Sequence, residues 1–308
     1  RDRSPSRGLG DVYKRQVKES AKWLSEHGFE VSYAPVNEQG FVDVEALAGL
    51  LRPDTILVSV MAVNNEIGSI QPIQAISDLL VNEPTISFHV DAVQAIGKIP
   101  LSSYLTDRVD FATFSGHKFH AVRGVGFVYK KAGKKITPLL TGGGQEKDFR
   151  STTENVAGIA SMAKALRLVT DKEEFSLPKI AKMKKIIFDE LAKYEDISIF
   201  SGEGEGEGFA PNILTFGIKG VRGEVIVHAF EEHQIYISTT SACSSKAGKP
   251  AGTLISMGVP TKLAQTAVRI SLDDDNDMGQ VEQFLTIFKQ VYACLLYTSP
   301  SPRDGLLS

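Results

Sequence analysis

The run TILVSVMAV, residues 55–63, constrains the fold more than any other stretch. It is rich in β-branched residues, too short for a typical buried helix, and shows no apolar–polar alternation. Such a run predicts a strand buried on both faces, as in a parallel sheet covered by helices. Its surroundings agree. FEVSYAPV (29–36), TISFHVDAV (85–93), VDFATFS (109–115) and GVGFVYKK (124–131) also read as strands. Between them, VKESAKWLSEHG (17–28) is amphipathic and stops at Gly28, Asp43 caps a short helix that ends before Pro53, and IQPIQAISDLLV (70–81) is helical. Strands alternating with helices imply an α/β fold on a mostly parallel sheet.

The character changes after GGGQE (142–146). Two long helical patterns follow, at 153–169 and 175–194, then strands at 212–220 and 235–240, a helix at 223–234 and a terminal helix at 277–293. The expected organisation is a large domain over 17–168 and a smaller α+β domain over 169–293. The acidic, glycine-rich SGEGEGEG (201–208) reads as a loop.

The two ends stand outside this pattern. SRGLGDVYKRQ (6–16) and CLLYTSPSPRD (294–304) can be written as reverse complements of one DNA stretch, read one base out of frame. Both resemble translated sequencing-library adapter. Residues 1–16 and 294–308 are therefore expected to lie outside the natural fold, and the chain to be truncated, because residue 17 opens in mid-helix without an initiator methionine.

With 308 residues, 42% of them hydrophobic, the chain can bury a sizeable core. No run approaches the ~18–20 consecutive apolar residues of a membrane span. The formal charge is −3, and setting aside the six basic and three acidic residues of the two ends deepens it to −6, which argues against direct nucleic-acid binding. One cysteine, Cys243, then remains of two. No internal disulfide is possible, which suits a cytoplasmic location.

In parallel α/β sheets, ligands sit beyond the carboxyl ends of the strands. Three polar clusters occupy such ends: Asn64-Asn65-Glu66, Asp91 to Gln94, and Ser115-Gly116-His117-Lys118. One pocket can thus hold Asn65, Asp91, Gln94, His117 and Lys118. An acidic residue and a lysine converging there suggest pyridoxal phosphate. A desolvated lysine forms a Schiff base readily, and a carboxylate keeps the cofactor's ring nitrogen protonated. Gln94 or Asn65 suits the ring's phenolic oxygen, and Ser115 and His117 suit the phosphate. The competing reading is a surface lysine and a structural aspartate. Cys243 sits among small residues, glycine and proline (239–252), although a lone cysteine is more often a buried small hydrophobe than a nucleophile. Arg269 either clamps a carboxylate with its planar fork or makes a surface ion pair.

VNNEIG (63–68), HVDAVQAIGKIP (89–100), SGHKF (115–119), GGGQE with RSTTEN (142–155), SACSS (241–245) and VRISL (268–272) occur in one order. Together they resemble the cysteine desulfurases of the NifS/IscS type, with the class V aminotransferase fold (fold type I of the pyridoxal-phosphate enzymes), over essentially all of 17–293. The resemblance implies Lys118 as the Schiff-base lysine and Asp91 as the pyridinium partner. It implies Gln94 and Asn65 at the phenolic oxygen, Ser115 and His117 on the phosphate, and Thr153 reaching the phosphate of the other subunit of a homodimer. Cys243 would take sulfur from L-cysteine as a persulfide, Arg269 would hold the substrate carboxylate, and alanine would be released. A sulfur-acceptor protein, in iron–sulfur cluster assembly or tRNA thiolation, is the implied partner; no metal is implied. The 26-residue separation of Cys243 from Arg269 resembles the NifS/IscS group more than the SufS group.

Two departures stand out. Ala121-Val122 replace the usual Gly-Pro, and Arg150-Ser151-Thr152-Thr153 replace the usual RSGT. By the same resemblance, the upstream phosphate loop and the histidine that stacks on the cofactor ring precede residue 17, so weak cofactor binding by this polypeptide alone is an expectation. The rival functions are a selenocysteine lyase or other class V lyase and, from a different class, a non-catalytic sulfur-relay scaffold.

Overall fold

A computed structural model describes residues 7–10, 15–240 and 252–298. Six strands form the larger sheet: β1 (Arg7–Gly10), β2 (Glu30–Tyr33), β3 (Thr55–Met61), β4 (Ser87–Asp91), β5 (Phe111–Ser115) and β6 (Gly126–Lys130). Their spatial order is β2-β1-β3-β4-β5-β6. All neighbours run parallel except β5 and β6, which are antiparallel. The smaller sheet holds β7 (Ile197–Ile199), β8 (Ile213–Ile218), β9 (Ser238–Thr239) and β10 (Ala267–Ser271), in the order β7-β8-β10-β9 and antiparallel throughout.

The helices are α1 (Arg15–Glu26), α2 (Val44–Leu50), α3 (Ile73–Leu79), α4 (Val156–Leu191), α5 (Gly223–Glu231), α6 (Gly252–Ser256), α7 (Thr261–Ala264) and α8 (Met278–Thr298). Asp43 caps α2 as the sequence predicts, its carboxylate accepting from the Ala46 N–H at 2.9 Å. Each sheet has its own apolar core. Val58, Val60, Phe88, Val90 and Ala112 lie in the first. Leu214, Phe216, Val268, Phe284 and Phe288 lie in the second.

The structure departs from the sequence reading in four places. First, β1 lies within the end set aside as adapter-like. It fills the slot between β2 and β3, where two rows of backbone donors and acceptors would otherwise lack partners, and any extended backbone can satisfy them. Second, α8 continues past residue 293, because Val291 and Leu295 keep one apolar face on the second core.

Third, the two predicted helices at 153–169 and 175–194 are one 36-residue helix, α4, capped by the Asn155 side chain. It absorbs Pro178 at the cost of one internal hydrogen bond. Met162 and Ala165 pack on the first core, Ile180, Met183 and Ile187 on the second, so the boundary expected near residue 168 falls inside a continuous element. Fourth, β3 is closed on the face carrying Val58 and Val60 but only half-covered on the face carrying Leu57 and Ser59. On that second face Ser59 bonds His89, which bonds Thr113, in a polar row across three strands.

Candidate active site

β3, β4 and β5 are adjacent and parallel, so their carboxyl ends open side by side. Asp91 pairs in register with Met61 on one side and Thr113 on the other. The three predicted polar clusters therefore lie along one edge of the sheet. Asp91 is 6% exposed and its carboxylate accepts the Val93 N–H at 3.1 Å. Gln94 is half-buried in the turn that follows. That turn is pressed against α4. A Cβ on Gly97, which has φ +66°, would meet Val169 at 2.0 Å, so only glycine permits the approach.

Ser115 ends β5 half-buried, and a 3₁₀ turn, Gly116–Phe119, comes next. Its i, i+3 pair, Gly116 and Phe119, faces inward, leaving His117 and Lys118 exposed. Gly116 is needed there because a Cβ would come within 3.0 Å of the Val125 carbonyl and the Ala121 Cβ. The turn closes through left-handed His120, φ 70°, and an Ala121 N–H bond to the Gly116 carbonyl at 3.0 Å. Ala121, one of the two departures, is thereby buried in the turn that presents Lys118.

The smaller sheet reaches the same edge. Arg269, on β10, donates from Nη1 to the Asn65 carbonyl at 2.6 Å and from Nε to the Ser271 hydroxyl at 3.1 Å. Just past β10, Asp273 accepts from Lys98 at 2.8 Å. Burial alone would raise the Asp273 carboxyl, but the Lys98 ammonium, the Asp274 N–H and nearby His120 together hold it below the usual carboxylate range. His120, Asp273 and Asp274 converge in a way that could suit a metal, but Lys98 and Lys172 already lie against the two carboxylates.

Asn65, Asp91, Gln94, Ser115, His117 and Lys118 thus follow the carboxyl ends of the adjacent parallel strands β3, β4 and β5, and Arg269 reaches the first of these loops through the Asn65 carbonyl. Thr153 is exposed in the loop leading into α4. Cys243 lies outside the described residues. A buried carboxylate, an exposed amine, amide and hydroxyl groups and a forked guanidinium fit pyridoxal phosphate holding an amino acid. The carboxylate suits a ring nitrogen, the amine an aldehyde carbon, and the guanidinium a substrate carboxylate.

Sequence reasoning gave no role to Asn64, Glu66 or Lys98. Both Asn64 and Glu66 are buried polar residues directly after an apolar strand, a signal that each needs a tertiary partner. Asn64 Oδ1 accepts from the N–H groups of Glu66 and Ile67 at 2.8 and 3.0 Å, shaping the loop that presents the Asn65 carbonyl.

Residues 18–284 match the family Aminotransferase class-V. A NifS/IcsS protein homolog of Lactobacillus delbrueckii subsp. bulgaricus is 48% identical over 269 residues, 87% of this chain and 69% of the relative. The cysteine desulfurase IscS of Dictyoglomus turgidum is 37% identical over 295 residues, 95% of this chain and 73% of the relative. A solved NifS-like protein superposes with a TM-score of 0.86 at 35% identity, over 96% of this chain and 76% of its own. On these grounds, with the strand-end arrangement above, the chain belongs to the class V aminotransferase family, among its pyridoxal-phosphate-dependent cysteine desulfurases of the NifS/IscS type.

Proposed function

We propose that the protein takes sulfur from L-cysteine, releases L-alanine and holds the sulfur as a persulfide on Cys243 for an acceptor protein. One observation supports this reading: β3, β4 and β5 run parallel side by side, so the loops carrying Asn65, Asp91 and Lys118 leave the same edge of the sheet, and Arg269 from the distant β10 bonds the Asn65 carbonyl. When bound, pyridoxal phosphate supplies an electron sink that loosens bonds around the substrate's α and β carbons. The chain's own residues do the rest. Asp91 would hold a proton on the ring nitrogen, Asn65 and Gln94 would bond the phenolic oxygen, and Ser115 and His117 would bond the phosphate. Arg269 pairs with the substrate carboxylate. Lys118 would hold the cofactor at its aldehyde carbon and would move protons at the substrate's α and β carbons.

Cys243 thiolate attacks the substrate sulfur and forms an S–S bond. The substrate Cβ–S bond breaks, its electron pair stays on the carbon side, and protonation there gives alanine. L-Cysteine plus enzyme thiol therefore becomes L-alanine plus enzyme persulfide, with no external oxidant or reductant.

The working unit in this reading is a homodimer in the cytoplasm, with Thr153 reaching the partner's phosphate site. Supporting the dimer, Leu139 is 99% exposed, and Val122, Val128, Phe149 and Val156 also present apolar side chains outward. The described helices include none long and apolar enough to cross a membrane. A cofactor-binding unit and a smaller C-terminal unit meeting along α4 belong to the same reading, as do iron–sulfur cluster assembly and tRNA thiolation as destinations for the sulfur.

Alanine and sulfide release from L-cysteine in the presence of reductant tests it. The wild-type protein should form alanine, and Cys243→Ala should lose about 100-fold or more of that rate. Full activity on cysteine in Cys243→Ala contradicts the persulfide.

A further inference from the structure

Glu66 is an acidic residue that the reaction above leaves without a task. It is 7% exposed and directly follows Asn65 in the loop after β3. Its Oε2 accepts the Thr253 N–H at 3.1 Å. Its neighbour Asn64 donates from Nδ2 to the Thr253 hydroxyl at 3.1 Å. Thr253, 1% exposed, is the second residue of α6, where backbone N–H groups have no partner within the helix. A carboxylate there satisfies an orphan donor with a charge-assisted bond. The loop is held from a third side by the Thr215 hydroxyl, which donates to the Glu66 carbonyl at 2.5 Å.

Thr253 stands ten residues after Cys243. On the other flank of that segment, β9 pairs with β10, Ser238 opposite Arg269 and Thr239 opposite Val268. The chain thus leaves the described structure beside Arg269 and returns under the clasp of Asn64 and Glu66. Arg269 in turn bonds the Asn65 carbonyl, between those two residues. Substrate clamp, cofactor-edge loop and both flanks of the Cys243 segment form one connected network. We infer that Asn64 and Glu66 are positioning residues for sulfur transfer: by gripping Thr253 they set the point from which the Cys243 thiol reaches the substrate sulfur. A buried carboxylate is costly when a neutral side chain could fill the space, and its use is explained by the rigidity it confers on this flank.

This inference rests on the desulfurase reading, and the test separates the two. Cofactor-loaded wild type, Glu66→Ala, Glu66→Gln and Thr253→Val are compared by the visible absorbance of the bound cofactor, KM for L-cysteine and single-turnover persulfide formation on Cys243 by mass spectrometry. We expect wild-type absorbance and KM throughout. Persulfide formation should slow by about 10–100-fold in Glu66→Ala and less in Thr253→Val, the scale set by small misplacements of reacting groups. Glu66→Gln, which keeps an acceptor, should recover most of the rate. If Glu66→Ala does not fold, Glu66→Gln and Thr253→Val, which replaces the hydroxyl that Asn64 bonds with a methyl group, carry the test. Wild-type persulfide rates in the folded variants overturn the inference, as does parallel loss of absorbance and persulfide, which marks a purely structural contact. Absence of persulfide on wild-type Cys243 sinks the desulfurase reading itself.

Discussion

The two ends of the larger sheet use the same kinds of charged group in opposite ways. At the amino end of β5, Asp110 is 2% exposed and accepts from the Phe88 N–H at 2.9 Å and from Arg108 at 2.8 Å, with the Lys134 ammonium at 3.1 Å. Burial pushes its carboxyl up, but those three donors outweigh it and hold it below the usual range. Arg108 is consumed too, binding the carbonyls of Leu80, Glu83 and Ile86. At the carboxyl end a 3₁₀ turn leaves His117 and Lys118 exposed, and Arg269 is half-buried. Polarity therefore does not mark the site by itself. Accessibility to a ligand does, and the strand direction decides which end has it.

The comparison breaks if a change at the closed end alters chemistry. Asp110→Asn should cost about 1–3 kcal/mol of stability, because it leaves the half-buried Arg108 and Lys134 without their carboxylate. The denaturant midpoint should fall while kcat of the folded fraction stays put. The Asp110 contribution should be present above the ordinary carboxylate range and vanish as pH falls through its lowered native value.

At the open end the balance should reverse. Arg269→Lys keeps the charge but loses the planar fork, and kcat/KM for L-cysteine should drop about 10–100-fold, mainly through KM. The unfolding midpoint should barely move. A large stability loss with unchanged KM would place Arg269 among structural ion pairs instead.

Lys184 sharpens the contrast from a third position. It is a fully buried lysine on α4, donating to the Ala210 carbonyl at 2.9 Å and lying 5.9 Å from the Phe209 ring centroid. Burial lowers its pKa to about 8, against a partial upward pull from Glu207 and Glu203. Between pH 8 and 9.5 the unfolded chain then binds a proton that the folded chain has lost. Folding stability should rise with pH there, by up to about 2 kcal/mol. Lys184→Met should flatten that rise, which chemical denaturation at a series of pH values would read.

The strand-end clusters were legible because each lies within a few residues of its strand, and parallel packing aligns the ends. That Asp91 and Ser115 end their strands, with Lys118 three residues beyond, followed from local pattern. Contacts across the chain left no such trace. The Arg269 bond to Asn65 joins residues 204 apart, and Glu66 to Thr253 spans 187. No periodicity foretells which of many polar residues will meet at those distances. The continuity of α4 was hidden by Pro178 and by the polar run before it, since propensity marks a break where packing against two cores overrides one lost hydrogen bond. The strand β1 was hidden for another reason: its place in the sheet depends on backbone pairing alone.

A buried lysine with a lowered pKa is ordinarily a leading candidate for cofactor chemistry, and here it is Lys184. The account assigns that chemistry to exposed Lys118 at the open end. Loading the protein with pyridoxal phosphate, reducing with borohydride and mapping the labelled peptide decides between them. The label should sit on Lys118 in the segment SGHKF (115–119). A label on Lys184 or on another lysine contradicts the account.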